Sequence, residues 1–450
     1  MELLGKSVAV LGAGASGRAA GTLARSRGAR VTVYDSGDSE KLRSAVATFA
    51  ERGIPLVSGR SALEQEKTCD LAVISPGIPG DSDLARTFTS RGIELIGEIE
   101  FAWRLGNAPT IAITGTNGKT TTTGLIAAIL NGAGKRTVAT GNIGYAFSEL
   151  IESGRPCDWY VVEVSSFQLE TIAEFRPAVA VWLNFAPDHM DRYRTVEEYR
   201  EAKLRIFENQ GGDDLAVIKE EERIGTAARQ VTFSAFAEGA DFQFRDGWIL
   251  GPGEERLIDF RTTRLNGRHN AENVMAAMAA AQAAGIAYSE MGEAIRQFTA
   301  PPHRCEVVAR LDGVTWVNDS KATNLHAVES SLRGQDQPVV LLAGGKEKGL
   351  DVRELNGCIE RHVRSAVCYG ENAARLIEAW SPLVPCREAP SLEEAVRCAA
   401  AIATDGDCVL LSPGTSSFDM FSGYEERGEV FRRAVESIRD VRDAQAESLR

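Results

Sequence analysis

Apolar and polar positions alternate in blocks along this chain. Near its start, short apolar runs (SVAVLG from Ser7, RVTVYD from Arg30, LAVISPG from Leu71, IELIG from Ile93) are separated by longer polar stretches of helical composition. Short strands alternating with helices predict a parallel sheet wrapped by helices. NAP at 107–109 interrupts the pattern. A second alternation then runs from Thr110 through WYVVEVSS at 159 and AVAVWLN at 178 to an Ala-rich helix at 270–284. TAPPHRC at 299–305 is the next break, because two prolines cannot continue a helix. Beyond it VTWVNDS, PVVLLAGG, SAVCYG and CVLLSPG are each followed by a helical pattern. Three α/β domains are therefore expected, at residues 1–107, 108–301 and 302–450, and a chain of 450 residues agrees with domains of roughly 150 each. The charged end after Asp440 is expected to fray.

Charge narrows the classes of partner. With 63 acidic against 50 basic residues the net charge is −13, which argues against a general nucleic-acid or membrane surface. Anionic ligands then need local nests of donors. The eight cysteines are scattered without a C-x-x-C pair, and read as reduced core thiols of a cytoplasmic protein. The opening MELLGKSVAVLGAGASG lacks the apolar stretch of a signal peptide, and no apolar run approaches the ~18 residues of a membrane span.

The strongest chemical signal is AITGTNGKTTTTGL at 112–125. The usual nucleotide loop is G-x-x-x-x-G-K-[ST]. Gly118, Lys119 and Thr120 fit it, but Ile113 stands where the first glycine belongs, so the loop opens later, at Gly115. The N–H groups of Gly115, Thr116, Asn117 and Gly118 and the following helix start would face an anion. Lys119 would reach the terminal phosphates of a nucleoside triphosphate, and Thr120 or Thr121 would put a hydroxyl on Mg²⁺. A plain glycine turn with an exposed lysine is the alternative.

GAGASG at 12–17 matches G-x-G-x-x-G between a strand and a helix, with Asp35 closing the next strand. It reads as a nicotinamide-dinucleotide turn, as a tight turn without ligand, or as the seat of another diphosphate such as that of a nucleotide sugar. EVSSFQLE at 163–170 begins with Glu163 at the end of the apolar strand WYVVEV, where it is either a metal ligand in the ligand crevice or a solvated edge carboxylate. NFAPDHMDRY packs Asp188, His189 and Asp191 after another apolar strand, and His189 is either structural or part of a site. Lys203 falls four residues after Tyr199 and four before Phe207, on the apolar stripe of its helix, where snorkelling would also explain it. GRHNAEN, PPHRCEVV, NDSKATN, GGKEKG and SPGTSSFD each bring polar groups to a turn, more of them than helix capping needs.

In this order the clusters resemble the Mur ligase family, the ATP-dependent amide ligases that build the peptide of bacterial cell-wall precursors. The resemblance spans essentially the whole chain. It rests on GTNGKTT, EVSSFQLE, DHMDRY, the lysine of EAKLRIFE, GRHNAEN, PPHRCE and NDSKATN, while SSFQLE and SPGTSSFDMF are most similar to the D-glutamate-adding branch. It implies an α/β protein with a Rossmann-like N-terminal domain binding a UDP substrate, a central P-loop ATPase-type domain, and a C-terminal Rossmann-like domain binding the incoming amino acid. The shorter GTNGK loop belongs to the family.

The implied partners are ATP, UDP-N-acetylmuramoyl-L-alanine and D-glutamate, with two Mg²⁺ ions as cofactors, no nucleic acid, no membrane span and a monomeric chain. Lys119 would hold the γ-phosphate. Thr120 and Glu163 would serve Mg²⁺, and His189 would lie near a second ion and the amino acid. Lys203 would be carbamylated, turning a cation on an apolar face into a metal-binding anion. Asn270, Asn273, Arg304 and Asp319 would border the adenosine, with Lys321 close to the phosphates. Ser16, Asp35 and Ser36 would hold the uridine diphosphate, and Asn142 and Ser165 the rest of that substrate. His189, Thr323, Lys348, Ser417 and the Phe418 backbone would hold D-glutamate. One departure stands out: relatives often carry a basic residue after the acid–hydroxyl pair, where this chain has Gly37. A sister ligase such as the L-alanine-adding enzyme shares the fold and ATP chemistry, and a folate polyglutamate ligase shares the central loop, although the full domain before residue 107 disfavours it. A nicotinamide oxidoreductase would leave GTNGKTT idle, and a P-loop switch protein would need no amino-acid pocket.

Overall fold

A computed structural model describes residues 1–64, 68–190, 192–335, 337–347, 349 and 351–448, with the side chains at 40, 41, 43, 44 and 441–448 excepted. Lys348 and Asp191 lie outside the described residues. The chain divides into two compact units, Met1–Asp259 with Glu272–Gln297, and Phe260–Ala271 with Phe298–Arg450.

The first unit contains two sheets. Strands β1 (Ser7–Leu11), β2 (Arg30–Asp35), β3 (Leu56–Ser58), β4 (Leu71–Ile74) and β5 (Leu95–Gly97) form an all-parallel sheet in the order β3-β2-β1-β4-β5. The order reverses beside β1, and in such sheets the crevice at the strands' carboxyl ends takes the ligand. The second sheet is built from β6 (Thr110–Thr114), β7 (Thr137–Gly141), β8 (Trp159–Glu163), β9 (Val179–Trp182), β10 (Leu215–Lys219), β11 (Arg229–Ser234), β12 (Phe242–Arg245), β13 (Trp248–Leu250) and β14 (Arg256–Asp259). Its order is β14-β13-β12-β11-β10-β9-β6-β8-β7, so β6 is central and buried along its length. The last three strands pair antiparallel. Their sequences, FQFR, WIL and RLID, are too short and too mixed to give a strand signal.

One continuous core runs beneath both sheets, from Val10, Leu23 and Val33 through Phe101 and Phe147 to Tyr160, Val162 and Trp182. Two buried carboxylates fasten the helix Glu98–Leu105 within this unit. Glu100 accepts the N–H groups of Ala173 (2.9 Å) and Phe175 (2.8 Å), and Glu98 accepts that of Ser148 (2.6 Å). Burial raises the Glu98 pKa above the usual carboxylate value.

The second unit holds β15 (Glu306–Leu311), β16 (Val314–Asn318), β17 (Val339–Gly344), β18 (Val363–Tyr369), β19 (Cys386–Ala389) and β20 (Cys408–Leu411), ordered β15-β16-β20-β17-β18-β19 with only β15 antiparallel. Side chains alternate faces along each strand. Val317, Leu341 and Leu410 therefore enter one core, while Trp316, Leu342 and Leu411 enter the other with Phe431. The end expected to fray instead continues the helix Tyr424–Ser448, because VRDAQAES holds no Gly or Pro to stop it. Among the described residues no helix is long and apolar enough to cross a membrane.

Candidate active site

At the carboxyl end of β6 the chain turns through Gly115 (φ 150°) and Gly118 (φ 86°), and Gly118 caps the helix Lys119–Gly132. Side chains rarely tolerate such φ values. A Cβ on Gly118 would also sit 2.4 Å from Asn273 Oδ1, and one on Gly115 3.0 Å from Leu183 Cβ. Ile113, where the usual first glycine would stand, is a fully buried strand residue. The missing glycine is thus absent because the strand runs one residue further, to Thr114, before the turn begins at Gly115.

Asn184 holds this loop in shape. Its Oδ1 accepts the Asn117 N–H (2.9 Å), its Nδ2 donates to the Asn117 carbonyl (3.1 Å), and its own carbonyl accepts the Thr116 N–H (3.0 Å). The Thr116 hydroxyl donates to the Ala186 carbonyl at 3.0 Å. Sequence reasoning missed Asn184, since a contact 67 residues away leaves no local periodicity.

Two lysine side-chain nitrogens converge on one carbonyl. Lys119 Nζ donates to the oxygens of Gly115 (2.8 Å) and Thr116 (2.9 Å), and Lys203 Nζ donates to the same Gly115 oxygen at 2.9 Å. Lys203 is 2% exposed, with its ammonium 4.8 Å from the Tyr199 ring centre. Burial, and then the Lys119 charge, push its pKa well below the usual lysine range, while Asp188 and Glu163 pull the other way. Lys119 is thus left as the cation that attracts an entering anion, while Lys203 is driven toward its neutral amine. Snorkelling does not describe Lys203, whose head is as buried as its stem.

Glu163 closes β8 with both oxygens inside. Oε1 accepts from Asn142 Nδ2 at 2.9 Å, whereas Oε2 is buried without a hydrogen-bond partner. Such an orphan is costly unless a proton or cation completes it. Gly141 (φ 98°) allows the Asn142 turn to close over the strand end, since a Cβ there would lie 2.3 Å from the Glu163 carbonyl. His189, at φ 56°, packs on Phe167 (4.9 Å between centres) and edge-on to Tyr199 (5.9 Å). Tyr199 is therefore shared by His189 and Lys203, so Lys119, Glu163, His189 and Lys203 belong to one neighbourhood. Thr120 is half-buried in the first helical turn, and Thr121 is buried at 3% exposure. Asn273 Oδ1 accepts from the Thr122 hydroxyl at 3.2 Å, beside Gly118.

At the first glycine turn, Asp35 accepts the N–H groups of Ala13 (2.9 Å) and Gly37 (2.9 Å). A Cβ on Gly17 would lie 1.8 Å from the Gly12 carbonyl, while one on Gly14 would meet nothing within 4 Å. Helix packing thus explains Gly17 and leaves Gly14 open to a ligand's approach. Ser16 is half-buried and Ser36 exposed. Ser165 caps the helix Ser166–Leu169 in a capping box with Gln168.

In the second unit Asp319 accepts from the Cys305 N–H (3.2 Å) and from the hydroxyls of Ser412 (3.1 Å) and Ser331, and burial pushes its pKa up to about 6. Arg304 precedes Cys305 at half-burial, and Lys321 Nζ lies 3.6 Å from the Tyr424 ring centre. Asn270 donates to the Asn266 carbonyl at 2.8 Å. Thr323 adjoins the helix cap Asn324, Ser417 is buried, and Phe418 is 67% exposed. Among the described residues no group of three or more His, Cys, Asp and Glu side chains forms a metal cluster. Mg²⁺ needs none, since it keeps waters and binds through one or two carboxylates plus phosphate oxygens. The orphan Glu163 oxygen fits that role.

Comparison with known proteins agrees with this geometry. The Mur ligase middle domain matches residues 113–281, and the Mur ligase glutamate ligase domain matches residues 303–415. The chain belongs to the Mur ligase family. It is 42% identical over 449 residues to the UDP-N-acetylmuramoylalanine–D-glutamate ligase of Geotalea uraniireducens, covering 98% of this chain and 99% of that one. It is 43% identical over 447 residues to the ligase of the same name from Pelobacter propionicus, covering 97% and 100%. Among solved structures, a pseudomurein peptide ligase type C from Methanothermus fervidus superposes with a TM-score of 0.61 at 18% identity, covering 96% of this chain and 100% of that one. The UDP-N-acetylmuramate-alanine ligase of Thermotoga maritima gives 0.60 at 17%, covering 97% and 100%. These likenesses show the shared α/β fold of three domains.

Proposed function

We infer that this chain is an ATP-dependent amide ligase that adds D-glutamate to UDP-N-acetylmuramoyl-L-alanine in peptidoglycan precursor synthesis. The reading rests on one arrangement: the Lys119 and Lys203 side-chain nitrogens on the Gly115 carbonyl, beside a buried Glu163 oxygen that lacks a donor. The full-length identity to ligases of that name supports the choice of substrates.

A terminal carboxylate oxygen of the UDP substrate attacks the γ-phosphorus of ATP, and ADP leaves. The D-glutamate nitrogen then attacks the acyl carbon, phosphate departs, and the nitrogen loses a proton to give the amide. The chain's part is positioning and neutralisation of charge. Lys119 leaves the loop carbonyls for the γ-phosphate, whose oxygens also accept the loop N–H groups that Asn184 keeps in place. Thr120 and Glu163 would hold one Mg²⁺, and His189 and Lys203 a second; such ions would supply charge neutralisation during phosphoryl transfer. Lys203 serves as a carbamate: its neutral amine, favoured by burial, attacks the carbon of CO₂ and gives up a proton. Asn270, Asn273, Arg304, Asp319 and Lys321 serve the nucleotide. Ser16, Asp35, Ser36, Asn142 and Ser165 serve the UDP substrate, and His189, Thr323, Lys348, Ser417 and the Phe418 backbone serve D-glutamate.

By the same reading, residues 1–107 bind the UDP substrate, 108–301 bind ATP and 302–450 bind the amino acid, in a monomeric cytoplasmic enzyme. The test is phosphate release with UDP-N-acetylmuramoyl-L-alanine and ATP while acceptors are scanned. D-glutamate should support turnover, and equal turnover with L-glutamate or L-alanine would reject the assignment.

A further inference from the structure

Arg427 is fully buried, with no directly hydrogen-bonded carboxylate among the described residues, although the charges of Asp419 and Asp319 favour its cation. Burying a cation is expensive unless hydrogen bonds replace its water. Its guanidinium is occupied by backbone and hydroxyl oxygens: Nε donates to Ser320 Oγ (3.0 Å), Nη2 to the Ser320 carbonyl (2.8 Å) and Nη1 to the Thr415 carbonyl (3.1 Å). Ser320 follows the end of β16, and Thr415 lies in the turn after β20.

The turn after β17 meets the same group. A Cβ on Gly345 (φ 142°) would lie 3.2 Å from Arg427 Nη1 and 2.4 Å from the Ser416 carbonyl, and the Lys346 N–H donates to that carbonyl at 2.9 Å. Three strand ends thus pack around one planar fork. The base of the β20 turn has bonds of its own, from Gly414 N–H to the Ala322 carbonyl (2.9 Å) and from the Ser412 hydroxyl to Asp319 (3.1 Å). Arg427 holds the arm beyond them. A lysine offers a point charge and could not reach the three oxygens in this plane.

We propose that Arg427 is the positioning residue of the acceptor amino-acid site, setting the spacing of the three turns that carry Thr323, Gly345–Lys346 and Ser417–Phe418. The proposal rests on the D-glutamate ligase reading. A dicarboxylate acceptor is gripped at two separated ends, so its affinity depends on how well those turns are held apart and together. Arg427 is fully buried beneath these turns, so its action on the acceptor runs through them.

The test is steady-state kinetics of the full chain with Arg427→Met, Arg427→Lys and Ser320→Ala. Lost charge-assisted hydrogen bonds should raise the KM for D-glutamate about tenfold or more in Arg427→Met. The KM for the UDP substrate should stay unchanged, Arg427→Lys should fall between Arg427→Met and the wild type, and Ser320→Ala should show a smaller rise of the same kind. A loss of kcat alone, with the D-glutamate KM unmoved, would mean a structural role and overturn the proposal. An equal rise in both KM values would do the same. If Arg427→Met fails to fold, Ser320→Ala decides by its D-glutamate KM. A wild-type chain without D-glutamate-dependent phosphate release would sink the parent reading, whereas an active wild type with unaffected variants sinks this proposal alone.

Discussion

The turn after β1 and the turn after β6 both leave the carboxyl end of a parallel strand, bend through glycines and open a helix, Ala15–Ser26 in one case and Lys119–Gly132 in the other. Their electrostatic settings are opposite. At the first, a carboxylate, Asp35, occupies the Ala13 N–H. At the second, Lys119 and Lys203 crowd onto the Gly115 carbonyl. A strand–glycine–helix turn supplies a place for an anion, and the neighbouring side chains decide how much negative charge it can take. On the proposed reading the β6 turn takes the terminal phosphates of ATP, which carry the most charge and must accept more during transfer. On the same reading the β1 turn takes a diphosphate already esterified at both ends, which only has to be held.

Removing the cation from the β6 turn is the severest way to break this contrast. Lys119→Ala should lower kcat by about 100-fold or more, with an unfolding midpoint close to wild type because the side chain lies outside the core. A fully active, folded variant would show that the β6 turn is not the ATP site. Lys203→Ala should come next, with a loss of about tenfold to 100-fold that added formate or acetate partly restores by supplying carboxylate oxygens in the vacated space. Native protein should carry about 44 Da of extra mass, one CO₂ on an amine that burial keeps partly neutral. Near-normal activity of Lys203→Ala without additive would remove the carbamate from the mechanism.

Smaller changes separate the two turns. Asn184→Ala frees the β6 loop from its clamp and should raise the KM for ATP about tenfold, the cost of one to two hydrogen bonds, with the UDP-substrate KM unaffected. Gly14→Ala should do the reverse, raising the UDP-substrate KM several-fold and leaving ATP alone. Its new Cβ meets nothing within the protein at φ −71°, so the stability cost should stay within about 1 kcal/mol, that of a poorer helix cap. Equal effects on both substrates from either variant would erase the distinction between the turns.

The parts of this site that were legible in the sequence are those with a local signature. Lys119 sits in a motif, Glu163 is an acid at the end of an apolar strand, and Lys203 is a lysine on an apolar stripe. Each breaks the pattern around it. Asn184 and Arg427 break nothing locally, because an asparagine after a strand and an arginine in a charged helix are ordinary choices. Their roles exist only once residues 67 and 107 positions away have folded against them. The fold shows the same division. The apolar runs marked β1, β2, β4, β6, β8 and β9, but not the antiparallel strands β12 to β14, whose short and partly polar sequences are held by their neighbours. The charged end after Asp440 reads as fraying from its charge density, whereas the helix Tyr424–Ser448 runs on because good helix formers continue without a break.

The central claim is an amide ligase acting through an acyl phosphate, and isotope transfer tests it most directly. UDP-N-acetylmuramoyl-L-alanine bearing heavy oxygen in its terminal carboxylate is incubated with the chain, ATP and D-glutamate, and the released phosphate is analysed by mass. One heavy oxygen should move into the phosphate for each amide formed, because the carboxylate oxygen that attacks the γ-phosphorus departs with it. Phosphate carrying no label, with ATP consumed at the same rate, would mean that the nucleotide is simply hydrolysed and would contradict the account.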